Sequence, residues 1–157
     1  LLQGLTLAHP GAPAPLFADF STTVTPGQRI AVVGDNGTGK STLLRLICGE
    51  LLPSDGRILR PPGWQAALLA QQLTEPAALS GGERVLARMR QMLASAPDAL
   101  LLDEPGNHLD ADHRRWLLRE LAHFKGTLIV VTHDLAFSEA LCDTVWALQL
   151  GKTPRVF

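Results

Sequence analysis

Gly34-Asp35-Asn36-Gly37-Thr38-Gly39-Lys40-Ser41 decides how this chain folds. The octet satisfies the spacing G-x-x-x-x-G-K-[ST] in full, and its flanks are the ones the pattern requires. Residues 29–33 before it are short, apolar and rich in β-branched side chains, which predicts a buried strand. Leu43, Leu44, Leu46 and Ile47 after it recur at helical spacing, and Gly49 closes a predicted helix over 41–49. A glycine-rich loop between strand and helix turns successive backbone N–H groups towards one point, and the helix N-terminus adds a favourable dipole. That point suits phosphate. Lys40 can reach the β and γ phosphates of a nucleotide, and the Ser41 hydroxyl can hold Mg²⁺. The plainer alternative is a glycine-rich turn with a chance lysine, which the complete match in this context disfavours.

Strand and helix signals alternate from residue 29 onward, which predicts an α/β fold with a mostly parallel sheet covered on both faces. Residues 99–102 form a continuous apolar run, as in a central parallel strand. Thr127–Val131 forms another. Helices are expected over 83–93, anchored by Val85, Met89, Met92 and Leu93, over 112–123, with Trp116, Leu117 and Leu121 inward, and over 135–142. Residues 145–150 predict a last strand. Residues 1–25 and 56–70 alternate more loosely and are assigned to an antiparallel β flank, with residues 64–70 as a strand that ends at Gln71 and Gln72.

Composition sets bounds. The 157 residues suit one domain, 1–157. A formal net charge of −1 does not mark a nucleic-acid binder, though a local basic patch remains compatible with it. The two cysteines, Cys48 and Cys142, lack metal-ligand spacing and read as core thiols. The sequence carries neither a signal-peptide pattern nor an apolar run long enough to cross a bilayer, so a cytoplasmic protein without direct membrane insertion is expected.

Further candidates sit at the predicted strand ends. Asp103 follows the run 99–102 and can hold the Mg²⁺ shell, and Glu104 beside it can orient or deprotonate water. Read alone, Asp103 followed by Pro105 also suits a helix start. His133 follows the strand 127–131 and can sense a γ-phosphate, or serve as a capping or surface histidine. Gln71 or Gln72 can touch Mg²⁺ or water, with Gln72 favoured by register. Leu79-Ser80-Gly81-Gly82-Glu83 leads into a helix; Ser80, Gly81 and Gly82 offer an anion site there, or only a capped loop.

Taken in order, these motifs resemble the nucleotide-binding domain of ATP-binding cassette (ABC) proteins, over almost the whole chain. Residues 34–42, ending at Thr42, resemble Walker A; 79–83 read LSGGE like the family signature; 99–104 resemble Walker B with its catalytic glutamate; 107–110 and His133 occupy the D-loop and switch positions. The run DEPGNHLD over 103–110 is similar to the DEPTNHLD of the ABC-F subfamily, with Gly106 in place of the usual Thr, and KGTLIVVTHD over 125–134 is similar as well. The resemblance implies a P-loop NTPase of RecA-like core, with ATP and Mg²⁺ as cofactors and Glu104, His133 and Lys40 as the catalytic set. It also implies a partner cassette, in a homodimer or a tandem pair, placed head to tail so that its signature covers the nucleotide. ABC-F proteins act on ribosomes, as translation factors or antibiotic-resistance proteins. Alternatives are the ATPase subunit of an ABC transporter and a nucleotide-binding module without turnover. The chain departs from the family in three ways. Only residues 73–79 separate Gln72 from Ser80, where the family places a helical subdomain; there is one cassette and no charged linker; and no aromatic stands at the adenine-stacking position, where His9 is the positional candidate, either stacking or facing solvent.

Overall fold

The computed structural model describes residues 1–8, 14–70, 81–107 and 109–157. In chain order the elements are β1 (Leu2–Leu7), β2 (Phe17–Thr22), β3 (Arg29–Gly34), α1 (Lys40–Cys48), β4 (Asp55–Ile58), β5 (Ala66–Leu69), α2 (Gly81–Ala94), β6 (Ala99–Asp103), α3 (Ala111–His123), β7 (Thr127–Val131), α4 (Leu135–Leu141), β8 (Thr144–Leu148) and β9 (Arg155–Val156). They build two sheets. A six-stranded sheet runs in the order β5-β6-β7-β3-β8-β9, parallel throughout except where β9 meets β8. A three-stranded antiparallel sheet runs β2-β1-β4. The expected α/β fold with an N-terminal antiparallel flank is the fold observed.

The unbroken apolar runs have a simple cause. Every residue of β6 and of β7 is buried, because side chains alternate between two covered faces. Leu101, Ile129 and Val131 join Ile30, Val32 and Trp146 against α1 and the flank. Leu100, Leu102, Leu128 and Val130 point the other way, onto Met89 and Met92 of α2, Leu117 and Leu121 of α3, and Phe137 of α4. A fully buried leucine contributes roughly 1.5–3 kcal/mol. The flank is tied to the main sheet by Phe20, whose ring meets Trp146 edge-on at 5.1 Å.

Two expectations are corrected. β5 does not belong to the antiparallel flank: it pairs in parallel with β6, from Ala66 opposite Ala99 to Leu69 opposite Leu102. Its apolar pattern reflects an edge strand with α1 on one face and α2 on the other, which local alternation does not distinguish from a flank strand. The final strand stops at Leu148, leaving Leu150 exposed, and the short β9 beyond it had no sequence signal. Cys48 and Cys142 are free thiols, half-buried and packed against the two halves of the core, in keeping with core thiols. Trp116 packs half-buried on the same core as Leu117 and Leu121, under the Arg90 guanidinium at 5.0 Å, and Leu86 takes an inward place on α2 that was not anticipated.

Candidate functional site

In an open parallel sheet, ligands bind beyond the carboxyl ends of the strands, where connections leave in opposite directions. β3 stands at such a point, between β7 and β8. Its last residue, Gly34, has φ 147°, and a Cβ there would lie 2.3 Å from the Leu148 carbonyl oxygen. The loop that follows is folded on itself. Thr38, 3% exposed, donates from Oγ1 to the Asp35 carbonyl at 2.8 Å. Lys40 Nζ donates to the carbonyls of Gly34 at 2.8 Å and Asp35 at 2.9 Å. The ammonium is thus held at the mouth of the loop and is only 8% exposed. Gly39, in the left-handed region, is the N-cap of α1, so the helix starts at Lys40 with no side-chain cap. Its first N–H groups are left for whatever enters the loop.

β6 and β7 end side by side, Asp103 opposite Val131, and the Glu104 N–H donates to the Val131 carbonyl at 2.9 Å. This register brings residues 103–104 against 132–133. No helix begins at Asp103 or Pro105: Glu104 turns through φ 50°, and α3 starts at Ala111 with Asp110 as its cap. The helix-start alternative for the Asp103–Pro105 stretch is therefore excluded. Glu104 is 10% exposed, and its Oε1 is buried without a hydrogen-bond partner in the protein. His133, 59% exposed, places Nε2 3.5 Å from that oxygen. Burial pushes the Glu104 carboxyl above its ordinary range, with the facing His133 pulling the other way. An orphaned acceptor on a buried carboxyl suits a group that meets a proton donor in its working state.

The loop and the strand ends enclose a cleft of about 550 Å³. Asn36, Gly37, Gly39, Lys40, Ser41, Thr42, Asp103, Glu104 and His133 line it together. Gly34, Asp35 and Thr38 shape the loop behind. Leu16, Asn107 and Val131 also line the cleft. Leu16 carries no motif and reaches the loop only through tertiary packing, lying near Gly39. Gly81, exposed, and Gly82, buried, open α2 and are not among the described residues that line the cleft. His9, Gln71, Gln72 and Ser80 lie outside the described residues. Among the described residues no three of His, Cys, Asp and Glu gather as a metal cluster.

A family model described as "ABC transporter" matches residues 17–74. The ribosome protection protein VmlR of Bacillus subtilis (strain 168) is 36% identical over 157 residues, covering 85% of this chain and 28% of that protein. The ABC transporter F family member 3 of Arabidopsis thaliana is 29% identical over 188 residues, covering 94% of this chain and 26% of the relative. The chain belongs to the ABC ATPase family. Within it, this cassette is most like the ABC-F proteins. A solved dimeric ATP-binding cassette, in a post-hydrolysis state with ADP and Pi, shares its fold at a TM-score of 0.84 and 17% identity, over 99% of this chain and 97% of that one. The cassette spans less than a third of the length of both curated relatives. The alignment with the Arabidopsis protein runs over 188 positions, more than the 157 residues here, so that relative carries residues without a counterpart in this chain. No helix among the described residues is long and apolar enough to cross a membrane.

Proposed function

We propose that this cassette binds MgATP in the cleft beside residues 34–42 and hydrolyses it, as the nucleotide-driven part of an ABC-F-type protein that acts on the ribosome in translation or antibiotic resistance. The observation that carries the proposal is the gathering of Lys40, Ser41, Asp103, Glu104 and His133 in one cleft, from three separate strand ends. Lys40 leaves its two loop carbonyls to meet the β and γ phosphates. Ser41 and Asp103 offer two oxygens for Mg²⁺. Two protein oxygens with no acidic cage fit an ion that keeps its other positions for phosphate and water. When bound, Mg²⁺ neutralises phosphate charge. Gln72 is assigned to the same shell.

Glu104 takes a proton from the attacking water as the water oxygen bonds to the γ-phosphorus. The bond to the bridging oxygen breaks, and ADP leaves with its electron pair. His133 donates towards the γ-phosphate oxygens. The ribosomal target rests on the likeness to the ribosome protection protein VmlR, of which this chain covers 28%. A partner cassette, in a homodimer or a tandem pair, presents residues 80–82 of its own signature to the open side of the cleft, and His9 packs on the adenine. Only seven residues, 73–79, separate Gln72 from Ser80, and that short spacing supports a second reading: a module that binds nucleotide without turning it over. Phosphate release decides between them. Glu104→Gln should keep MgATP binding and lower release about a hundredfold or more. A parent chain that binds but releases no phosphate, alone or with a partner cassette, would establish the second reading.

A further inference from the structure

The start of α3, just after residues 105–110, and the segment 132–134 are joined by a side chain that no motif includes. Arg114, in the first turn of α3, forms an ion pair with Asp134. Both are about one-third exposed, so the pair is partly shielded from water. The same guanidinium lies 5.8 Å from the ring centre of Phe137. Asp134 is already committed at its other oxygen: Oδ1 accepts the Phe137 N–H at 3.0 Å and caps α4. Its own N–H donates to Thr132 Oγ1 at 3.1 Å, which folds 132–134 into a tight turn around His133. On the other side, α3 begins at Asp110, whose Oδ1 accepts the His113 N–H at 2.8 Å. Gly106 faces Phe137, since a Cβ there would stand 3.9 Å from Phe137 Cδ2. Arg114, Asp134 and Phe137 therefore close a bridge from the start of α3 to the start of α4. The two ends of that bridge carry Glu104 and His133, 3.5 Å apart.

We propose that Arg114 is a positioning residue: through Asp134 it sets where His133 stands relative to Glu104, and it ties that pair to the 105–110 segment. This rests on the hydrolytic reading given above. Rigid placement of a catalytic pair depends on the groups behind it, and a side chain on an exposed turn, as His133 is, has little packing of its own to hold it. Arg114 supplies the constraint from a neighbouring helix. A displacement of 105–110 by a partner is then passed to His133 through one ion pair.

The test uses the full chain with two variants. Arg114→Met keeps an unbranched apolar side chain and removes the charge; Arg114→Lys restores a cation. Thermal melting first establishes that both are folded. Without nucleotide, the His133 ring resonances should move by more than a linewidth in R114M and return towards the parent in R114K. In ATP turnover, R114M should lower kcat about tenfold with KM for MgATP little changed, and R114K should recover much of the loss. In a His133→Ala background, R114M should add no further loss, because the two act as a unit. Unmoved His133 resonances in a folded R114M variant overturn the proposal, and so do losses that simply multiply in the double variant. The hydrolytic reading fails separately: if His133→Ala and Glu104→Gln both leave turnover intact, the catalytic assignment falls, whatever the ring resonances do.

Discussion

At the scale of single residues, Lys40 and Glu104 make opposite demands on the fold. Lys40 satisfies its ammonium on the carbonyls of Gly34 and Asp35, so it also shapes the loop. Lys40→Ala should weaken MgATP binding at least a hundredfold while the chain still melts cooperatively, because a charge-assisted contact to phosphate is lost and the sheet is untouched. Calorimetric titration giving equal affinity for variant and parent would remove Lys40 from the phosphate site. Glu104 is held partly buried with one oxygen unpaired, and burial is the main cause of its raised pKa. An acid whose folded pKa lies above its unfolded value favours the folded state fully below the unfolded pKa, and that contribution is lost as pH rises through the folded pKa. Near neutral pH the ionised Glu104 therefore works against folding. Glu104→Gln should raise the melting temperature at pH 7, and the gain should shrink as pH falls towards the ordinary value of 4.5. Melting curves across that range that stay parallel would contradict this account.

At the scale of elements, the strand-to-loop junction is the least tolerant part of the site. Gly34 combines φ 147° with a neighbouring carbonyl 2.3 Å from where a Cβ would stand, and that carbonyl belongs to Leu148, its register partner on β8. A side chain there must push β8 away from β3. Gly34→Ala should cost about 3 kcal/mol or more, in the range of strained and overpacked positions. Gly37, three residues on, has φ 80° but nothing within 4 Å. Gly37→Ala should cost only about 1–2 kcal/mol, the price of a left-handed L-residue. Urea unfolding of the two variants measures the difference, and equal midpoints would show that the β8 carbonyl does not decide it. Helix ends are secured with similar economy. Arg29 donates to three carbonyls at the end of α3, those of Leu121, Ala122 and Phe124, and Arg60 to those of Leu46 and Ile47 at the end of α1.

At the scale of the whole molecule, the described lining of the cleft comes from the phosphate loop, the ends of β6 and β7, Asn107 and Leu16. On the two-cassette reading, the γ-phosphate meets a second anion-binding helix start only when another cassette is opposite. The isolated chain should therefore bind MgATP and hydrolyse it slowly, with phosphate release rising faster than linearly with protein concentration if it pairs with itself. Release that is fast, strictly proportional to concentration and accompanied by monomer alone in sedimentation would rule out the two-cassette mechanism here.

The sequence by itself determined the parts whose physics is local. Residues 34–41 specify a loop between strand and helix through glycine placement and one lysine, and the apolar runs 99–102 and 127–131 specify strands buried on both faces. Those signals carry their own spacing, so the core elements fell within a residue or two of their predicted ends. Tertiary structure decided what depends on neighbours. The place of β5 beside β6 rather than in the flank is a pairing choice, and alternation over four residues does not encode a partner. The cleft needed the register of β6 against β7 to bring Glu104 to His133, and Leu16 joined it from a segment with no motif. Arg114 reads in sequence as a solvent-facing arginine on a helix. Only the packing of α3 against α4 places it on Asp134, because an ion pair between residues twenty positions apart is set by where two helices cross, which no local pattern records.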